Sequence, residues 1–325
     1  METKSLVDKQ TAEIFYEERY QDGYMDEWPA WKKQRVVEII QSLKLPETGF
    51  ALDFGCGNGV FTDVLKKALP NWTIYGSDIS ETALINARKR YTNCNFIVFE
   101  DILPKGLSFQ FVLSHHVLEH VYNLEVVLED LAKVISLAGK ALHIMPCGNK
   151  GSFEYELASS ISGGIDVELG NRFYYEDTGH LRRLSSDDLS NLMKAVKFEE
   201  IDGWFANQKY GALEWMSDYP LDFIINELTP EKRGKDNKSK EKIIALRTQI
   251  IDLKKARLLA KEGFKHQIKT AILQFAKHPT KIFGLINAFS LISMGKSFQQ
   301  SLDNEWKNSS KLENGSEMYM LYKKS

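Results

Sequence analysis

Cysteine is scarce in this chain and scattered: Cys56, Cys94 and Cys147 lie far apart, so they supply neither a disulfide framework nor the closely spaced thiolates of a zinc knuckle. A reducing, cytoplasmic setting is the natural expectation. Net charge is scarce as well. Lys and Arg number 42 against 44 Asp and Glu, a balance of -2, which excludes a global basic field of the kind that drives indiscriminate nucleic-acid binding. No stretch reaches eighteen uninterrupted apolar residues, and the polar N-terminus has no apolar core for a signal peptide. Those two absences argue against a transmembrane segment and against secretion by that route. Gly and Pro, at 21 and 8 of 325 residues, are too few for a collagenous or low-complexity chain. A folded protein with a sizeable core remains.

What the sequence does contain is an alternation. From residue 50 onward short apolar runs at 50–54, 72–77, 95–99, 111–114 and 140–145 are separated by helical patterns, the signature of a parallel sheet covered by crossover helices. The first helix carries Val60, Phe61, Val64, Leu65 and Ala68 on one stripe and stops near Pro70. Ser80 is placed to cap the second. The helix that follows the fourth strand repeats Leu124, Val127, Leu128, Leu131, Val134 and Ile135 and is expected to end at Gly139. Residues 147–184, with Gly163-Gly164 and Phe173-Tyr174-Tyr175, read as a substrate-facing loop. Ser185 and Asp188 form a capping box opening another helix, and 199–204 and 318–322 supply sixth and seventh strands. The expected fold is therefore α/β, a doubly wound, mostly parallel seven-stranded sheet with a helical insertion before the last strand.

One turn of this sheet carries chemistry. Asp53-Phe54-Gly55-Cys56-Gly57-Asn58-Gly59 ends a strand and opens a helix, and its glycines allow a sharp bend that turns amide hydrogens toward a ligand. A dinucleotide fingerprint needs a small residue where Val60 stands. Asp53 would repel a pyrophosphate but attract a ligand bearing an ammonium and a sulfonium. Asp78, 25 positions later, can accept two hydrogen bonds from a ribose diol. Asp101 and Ile102 after the third strand offer an adenine one polar contact and one apolar face. Three acids ending three successive strands line one crevice, where open α/β sheets bind ligands.

Asp53 to Gly59, Ser77-Asp78-Ile79, Glu100-Asp101-Ile102 and His116-Val117-Leu118-Glu119-His120 together resemble class I S-adenosylmethionine-dependent methyltransferases, which have a Rossmann-like fold. The resemblance implies S-adenosylmethionine as cofactor and S-adenosylhomocysteine as product. It implies that Asp53, Gly55, Cys56 and Gly57 flank the methionine end, that Asp78 and Ile79 hold the ribose, and that Asp101 and Ile102 flank the adenine. Tyr20 and His115 occupy cofactor-facing places in the same comparison. Gly179-His180-Leu181-Arg182-Arg183-Leu184-Ser185 is similar to the small-molecule branch, of the ubiquinone-pathway O-methyltransferase type.

The histidine-rich segment after the fourth strand admits three uses. Glu119 and His120 can brace the helix start while His116 packs on cofactor; His116 or His120 can take a proton from an acceptor hydroxyl, with His180 completing the base cluster; or the group can bind a metal. His116-x-x-Glu119-His120 matches an inverted zincin pattern, but its place after a strand in a cofactor-binding frame argues against hydrolysis. It also resembles the Glu, Glu, His magnesium sites of ubiquinone-pathway and small-RNA end methyltransferases. There His116 replaces the first acid, and an imidazole is a poor magnesium ligand, so a divalent metal is possible but not favoured. The aromatic N-terminus, Phe15, Tyr16, Tyr20, Tyr24, Trp28 and Trp31, is either a lid over the sulfonium or a helix packed on the sheet.

The expected organisation is a cofactor-binding core with an N-terminal helical lid over 1–205, a helical insertion over 206–316 acting as lid, substrate or oligomerisation subdomain, and a final core strand over 317–325. Residues 231–270 hold thirteen Lys or Arg against five Asp or Glu on a helical pattern, followed by an apolar stretch, Ile272 to Ile292, broken at Pro279. The expected activity is O-methylation of a small-molecule, glycan or lipid-intermediate hydroxyl in the cytoplasm, by a monomer or homodimer, with nucleic acid not favoured and peripheral membrane contact through the insertion possible. RNA end methylation with metal assistance, and a non-catalytic interaction protein retaining the fold, are the alternatives.

Overall fold

The computed structural model describes residues 9–21, 24–261 and 282–325. They divide into two compact units, one of residues up to Cys147 with Asp177–Gly203 and Met318–Ser325, the other of Gly148–Glu176 and Trp204–Glu317. The chain opens with the helices Lys9–Gln21 (α1) and Ala30–Ser42 (α2). Strands Phe50–Phe54 (β1), Thr73–Ser77 (β2) and Asn95–Phe96 (β3) then alternate with helices Val60–Ala68 (α3) and Glu81–Arg90 (α4). Phe109–His115 (β4), Leu124–Val134 (α5) and Ile135–Pro146 (β5) follow. Beyond them come Phe153–Ser160 (α6), Ile165–Asp166 (β6), Arg172–Phe173 (β7), Ser186–Ala195 (α7) and Phe198–Ala206 (β8). Tyr210–Met216 (α8), Leu221–Glu227 (α9), Pro230–Arg233 (α10), Asn237–Lys261 (α11) and Ile282–Ser309 (α12) lead to the last strand, Glu317–Lys324 (β9).

The sheet runs in the order β3-β2-β1-β4-β5-β9-β8, and β1 to β5 pair in parallel. The expected seven-stranded α/β architecture is what the chain adopts. Ala51, Leu52, Phe111, Val112, Leu113, Ala141 and Leu142 have no exposed surface, as central strands covered on both faces require. Val60, Phe61, Val64, Leu65 and Ala68 are buried along α3 as their spacing predicts. Ser80 caps α4 through a bond from the Ala83 amide, and Ser185 with Asp188 makes the full capping box on α7. The strand order reverses between β1 and β4, and because the strands are parallel the carboxyl ends of β1, β2 and β4 share one rim: Phe54 is in register with both Ser77 and Ser114. That rim is the switch point at which such sheets bind ligands.

Several boundaries differ from the sequence expectation. The third strand is two residues long and passes into a 3-10 turn at Phe99–Asp101, so the apolar run 95–99 overstated it. Helix α5 ends at Val134 rather than Gly139, and the chain enters β5 directly. The register jumps from Phe109↔Ile135 to Phe111↔Lys140, and Ala138 takes φ 60°; Ser136 to Gly139 is a bulge inside the strand and not a helix end. No helix among the described residues is long and apolar enough to cross a membrane.

In the second unit, the segment expected to be a loop over 147–184 carries α6, capped by Ser152 on the Tyr155 amide, and the antiparallel pair β6 and β7. Ala158, Ile161, Phe173 and Tyr175 are buried in one cluster with Leu213, Met216, Ile224, Ile243, Ile250 and Leu253. The aromatic triplet therefore packs a core rather than facing substrate; polar neighbours hid a short helix whose Ala158 joins a cluster with Leu213 to Leu253, 55 to 95 residues downstream. Arg233 donates to the carbonyl of Gly163 at 2.9 Å and pairs with Glu227, which fixes the Gly163 turn. Along α11, Ile243, Leu246, Ile250, Leu253 and Ala256 are buried while Ile244 and Leu258 are exposed, giving the amphipathic helix expected there. Ile272, Leu273, Phe275 and Pro279 of the expected apolar stretch lie outside the described residues.

Candidate active site

The glycine turn is shaped by close approach. Gly55, Gly57 and Gly59 take φ of 73°, 51° and 85°, the left-handed region that side chains avoid. A Cβ on Gly55 would stand 2.4 Å from the Val117 side chain, and one on Gly57 would stand 2.6 Å from the Tyr20 hydroxyl. The amides are not turned outward as expected: those of Gly55 and Cys56 both donate to the Ser77 carbonyl at 2.8 Å, and that of Gly57 donates to Asp78 at 2.8 Å. Satisfying buried N–H groups inside the turn outweighs aiming them at a ligand. The turn's contribution is shape, and its ligand-directed charge comes from side chains.

Two carboxylates supply that charge. Asp53 is 1% exposed and accepts a bond from the Thr62 hydroxyl at 2.7 Å. Burial pushes its carboxyl up to about 7, opposed by Thr62 and reinforced by Asp78. Asp78 accepts from the Ser80 and Gly57 amides; burial nevertheless pushes it up to about 6. Asp53, almost wholly enclosed, and the half-buried Asp78 favour a positively charged ligand. Ile79, one residue on, is exposed. Asp101 is largely exposed and pairs with Lys105 at 3.0 Å, while Ile102 is fully buried in the core, so these two do not form the paired polar and apolar faces expected for an adenine. Cys56 is buried in the turn.

The histidine corner begins where β4 ends. His115 is buried, stacked on Phe61 at 3.6 Å and edge-on to Trp28 at 4.5 Å. His116 then takes φ 55°, an uncommon conformation for a histidine that turns the chain sharply. Its Nε2 lies 3.2 Å from Lys32 Nζ, and its Nδ1 lies 3.0 Å from Oε1 of Glu119. The second contact ties the imidazole to a fully buried carboxylate. Burial would raise the Glu119 carboxyl, yet the imidazoles of His116, His120 and His180 hold it below the ordinary value. Burial and His180 lower the His120 imidazole to about 4, against the pull of Glu119 and Asp177, so it is neutral at neutral pH.

His180 reaches this corner through backbone stitching. The Leu181 amide donates to the Glu119 carbonyl at 2.8 Å, and Arg182 donates to the carbonyls of Leu118 and Val121. Asp177 folds the approach by accepting from the Gly179 amide and takes a two-bond pair from Arg19 of α1, each 2.7 Å long. The His120 and His180 rings stand 4.6 Å apart. Tyr16 of α1 lies edge-on to His120 at 5.8 Å, and Tyr20, one helical turn along, meets Gly57. The cradle and the histidine corner are thus spanned by a single turn of α1.

The structure brings together His116, His120 and His180, and separately Tyr20, Asp53, Gly55, Cys56, Gly57 and Asp78. Sequence reasoning missed Lys32, Thr62, Arg19 and Asp177. Lys32 is a buried cation on the stripe formed with Val36, Ile39 and Ile40, an irregularity visible in the helical spacing. Asp177-Thr178-Gly179 is an Asx-turn sequence. Arg19 and Thr62 carry no local signal, because their partners are acids distant in sequence.

A switch-point rim carrying two carboxylates beside a glycine turn without a dinucleotide fingerprint marks an α/β domain built to bind a ligand at the carboxyl ends of its strands. Residues 26–202 match the family model described as a methyltransferase domain; the chain belongs to that family and carries an S-adenosylmethionine-dependent methyltransferase domain. It is 32% identical over 89 residues to a trans-aconitate 2-methyltransferase of Acidovorax sp. (strain JS42), covering 24% of this chain and 34% of that protein. It is 28% identical over 179 residues to a demethylmenaquinone methyltransferase of Thermotoga maritima, covering 52% and 76%. The match to the Acidovorax enzyme spans about a third of that relative's length. Among solved structures, magnesium protoporphyrin IX methyltransferase from Synechocystis PCC 6803 shares 17% identity at a TM-score of 0.44, covering 62% of this chain and 94% of that one.

S-adenosylmethionine fits the residues present. The desolvated pair Asp53 and Asp78 asks for a cation, and the space that a Cβ at Gly57 would take is bordered by the Tyr20 hydroxyl.

Proposed function

We propose that this protein methylates a hydroxyl oxygen of a small molecule, glycan or lipid intermediate, in the cytoplasm. Bound S-adenosylmethionine supplies an electrophilic methyl group on a sulfonium. Asp53 would receive the ammonium end of that donor and Asp78 its ribose diol, while Tyr20 presents its hydroxyl at the glycine turn. Little covalent help is then needed, because alignment of acceptor with methyl group supplies much of the rate. His116 takes the acceptor proton at Nε2, and Glu119, 3.0 Å from its Nδ1, stabilises the imidazolium that results. Lys32 stands at that same nitrogen in the donor-free chain, and in this reading it frees the Nε2 lone pair by turning to the acceptor oxygen as that oxygen loses its proton. The scarcity of cysteine, three in 325 residues, is in keeping with the cytoplasmic setting.

The observation that carries the reading is the strained turn at His116, which places an imidazole between a cation and a buried carboxylate at the rim next to the glycine cradle. Under single turnover with an acceptor identified from an extract, His116→Ala is expected to cut the rate by about 10²- to 10⁴-fold while leaving donor affinity unchanged. A rate within a few-fold of the parent contradicts the base assignment.

A further inference from the structure

Helix α11 carries charge of one sign. Between Asn237 and Lys261 it holds eight Lys or Arg against two acids. Its inner face is accounted for: Ile243, Leu246, Ile250 and Leu253 are buried in the core of the second unit, and a Cβ on Gly295 of α12 would meet the Ala256 side chain at 3.7 Å. Some of the cations are committed within that unit too. Lys254 donates to the Ser217 and Tyr219 carbonyls, Arg257 pairs with Asp218 and Lys255 reaches Asp252. Lys238, Lys240, Lys242 and Arg247 pair with no carboxylate among the described residues, and the three lysines are exposed. Ile244 and Leu258, 46% and 53% exposed, stand on this outer side about four turns apart, with Lys240 one turn before Ile244. Glu241 is the one exposed acid among the described residues of the helix. The sequence keeps the same sign onward: no acid stands between Glu262 and Asp303, a stretch with five lysines.

We infer that the outer face of α11 docks on an anionic lipid bilayer, the helix lying in the plane of the headgroups. Clustered cations without carboxylates repel one another and gain from an anionic partner. The exposed apolar side chains choose among such partners. A nucleic acid answers the lysines with phosphates but gives Ile244 and Leu258 nothing apolar to meet, whereas a bilayer answers both, headgroups to the cations and acyl chains to the side chains between them. A second copy of this chain is disfavoured, because pairing the face with itself sets like charges opposite one another. Charge and apolar contact are each weak at a membrane and hold a protein there in combination. The inference stands on α11 alone and is independent of the reaction assigned to the first unit.

Tag-free full-length protein is floated with vesicles of phosphatidylcholine alone and of phosphatidylcholine with about a third phosphatidylglycerol. It is expected to float with the second and stay behind with the first, and to detach as salt rises from about 0.1 M to about 1 M. The triple variant Lys238→Gln, Lys240→Gln, Lys242→Gln is expected to weaken partition to the anionic vesicles by about a hundredfold. The pair Ile244→Asn and Leu258→Asn is expected to weaken it by about tenfold with the salt dependence kept. All five side chains are exposed, so the melting midpoint and the affinity for S-adenosylmethionine should stay at the parent's values in both variants. Flotation of the parent that ignores lipid charge or salt overturns the inference without recourse to any variant. So does undiminished flotation of either variant, RNA that strips the parent from the vesicles at equal phosphate, or a parent dimer in solution that Ile244→Asn returns to monomer.

Discussion

At the end of β1 the chain turns on glycines, three of them with positive φ, whereas at the end of β4 it turns on His116 at φ 55°, and the two corners work by different means. The first is a backbone device: its amides bond internally to Ser77 and Asp78, its missing side chains admit Val117 and Tyr20, and only two carboxylates carry its charge. The second is a side-chain device, gathered from α1, α2, the segment after β4 and the loop at Asp177 to Arg182. A nucleoside common to a whole family can be held by the first kind, since shape and charge suffice. The second, built from single side chains, is where protonation and reach depend on individual residues.

Substitutions that strike one corner and spare the other sharpen this contrast. The largest effect is the divergence between His116→Ala, expected to abolish most turnover at unchanged donor affinity, and Asp53→Asn, expected to weaken donor binding by about tenfold or more as read by calorimetry. Gly55→Ala comes next: a Cβ 2.4 Å from Val117 at φ 73° should destabilise the fold by about 1–3 kcal/mol, measured by denaturant melts, while Gly106→Ala, where a Cβ meets nothing within 4 Å, should cost less.

The pH response separates the corners more finely. Asp53 titrates near 7 in the folded chain against an ordinary 3.8, so the folded state keeps a proton that the unfolded chain has lost. Stability of the donor-free protein should therefore fall as pH rises from about 4 to 7, and Asp53→Asn should flatten that slope in melts across the range. The smallest expected effect is at the hinge of the two corners: Arg19→Ala removes the paired bonds to Asp177 and should cost about 1 kcal/mol. No change in the melt would mean that the pair does not tie α1 to the histidine corner.

The first corner was legible in the sequence because its parts are local. Asp53 through Gly59 are contiguous, and Asp78 stands one crossover later. Even there the amides were assigned outward, since spacing shows that a turn exists but not which carbonyl its N–H groups find. Asp101 and Ile102 fit a pattern that the short β3 and its 3-10 turn break. At the second corner the histidines stood out by residue type, but Lys32 and Asp177 act through partners 84 and 158 residues away, and no periodicity encodes such distances. In the second unit the same limit hid α6, whose apolar side chains make sense only beside α8 and α11.

The account rests on a cradle whose buried acids await a cation. Calorimetry of the full chain with S-adenosylmethionine at pH 6.5, in two buffers of different ionisation enthalpy, tests this directly: binding should release protons as Asp53 ionises, and Asp53→Asn should release fewer. No heat with S-adenosylmethionine or S-adenosylhomocysteine, while NADH binds tightly, would contradict it.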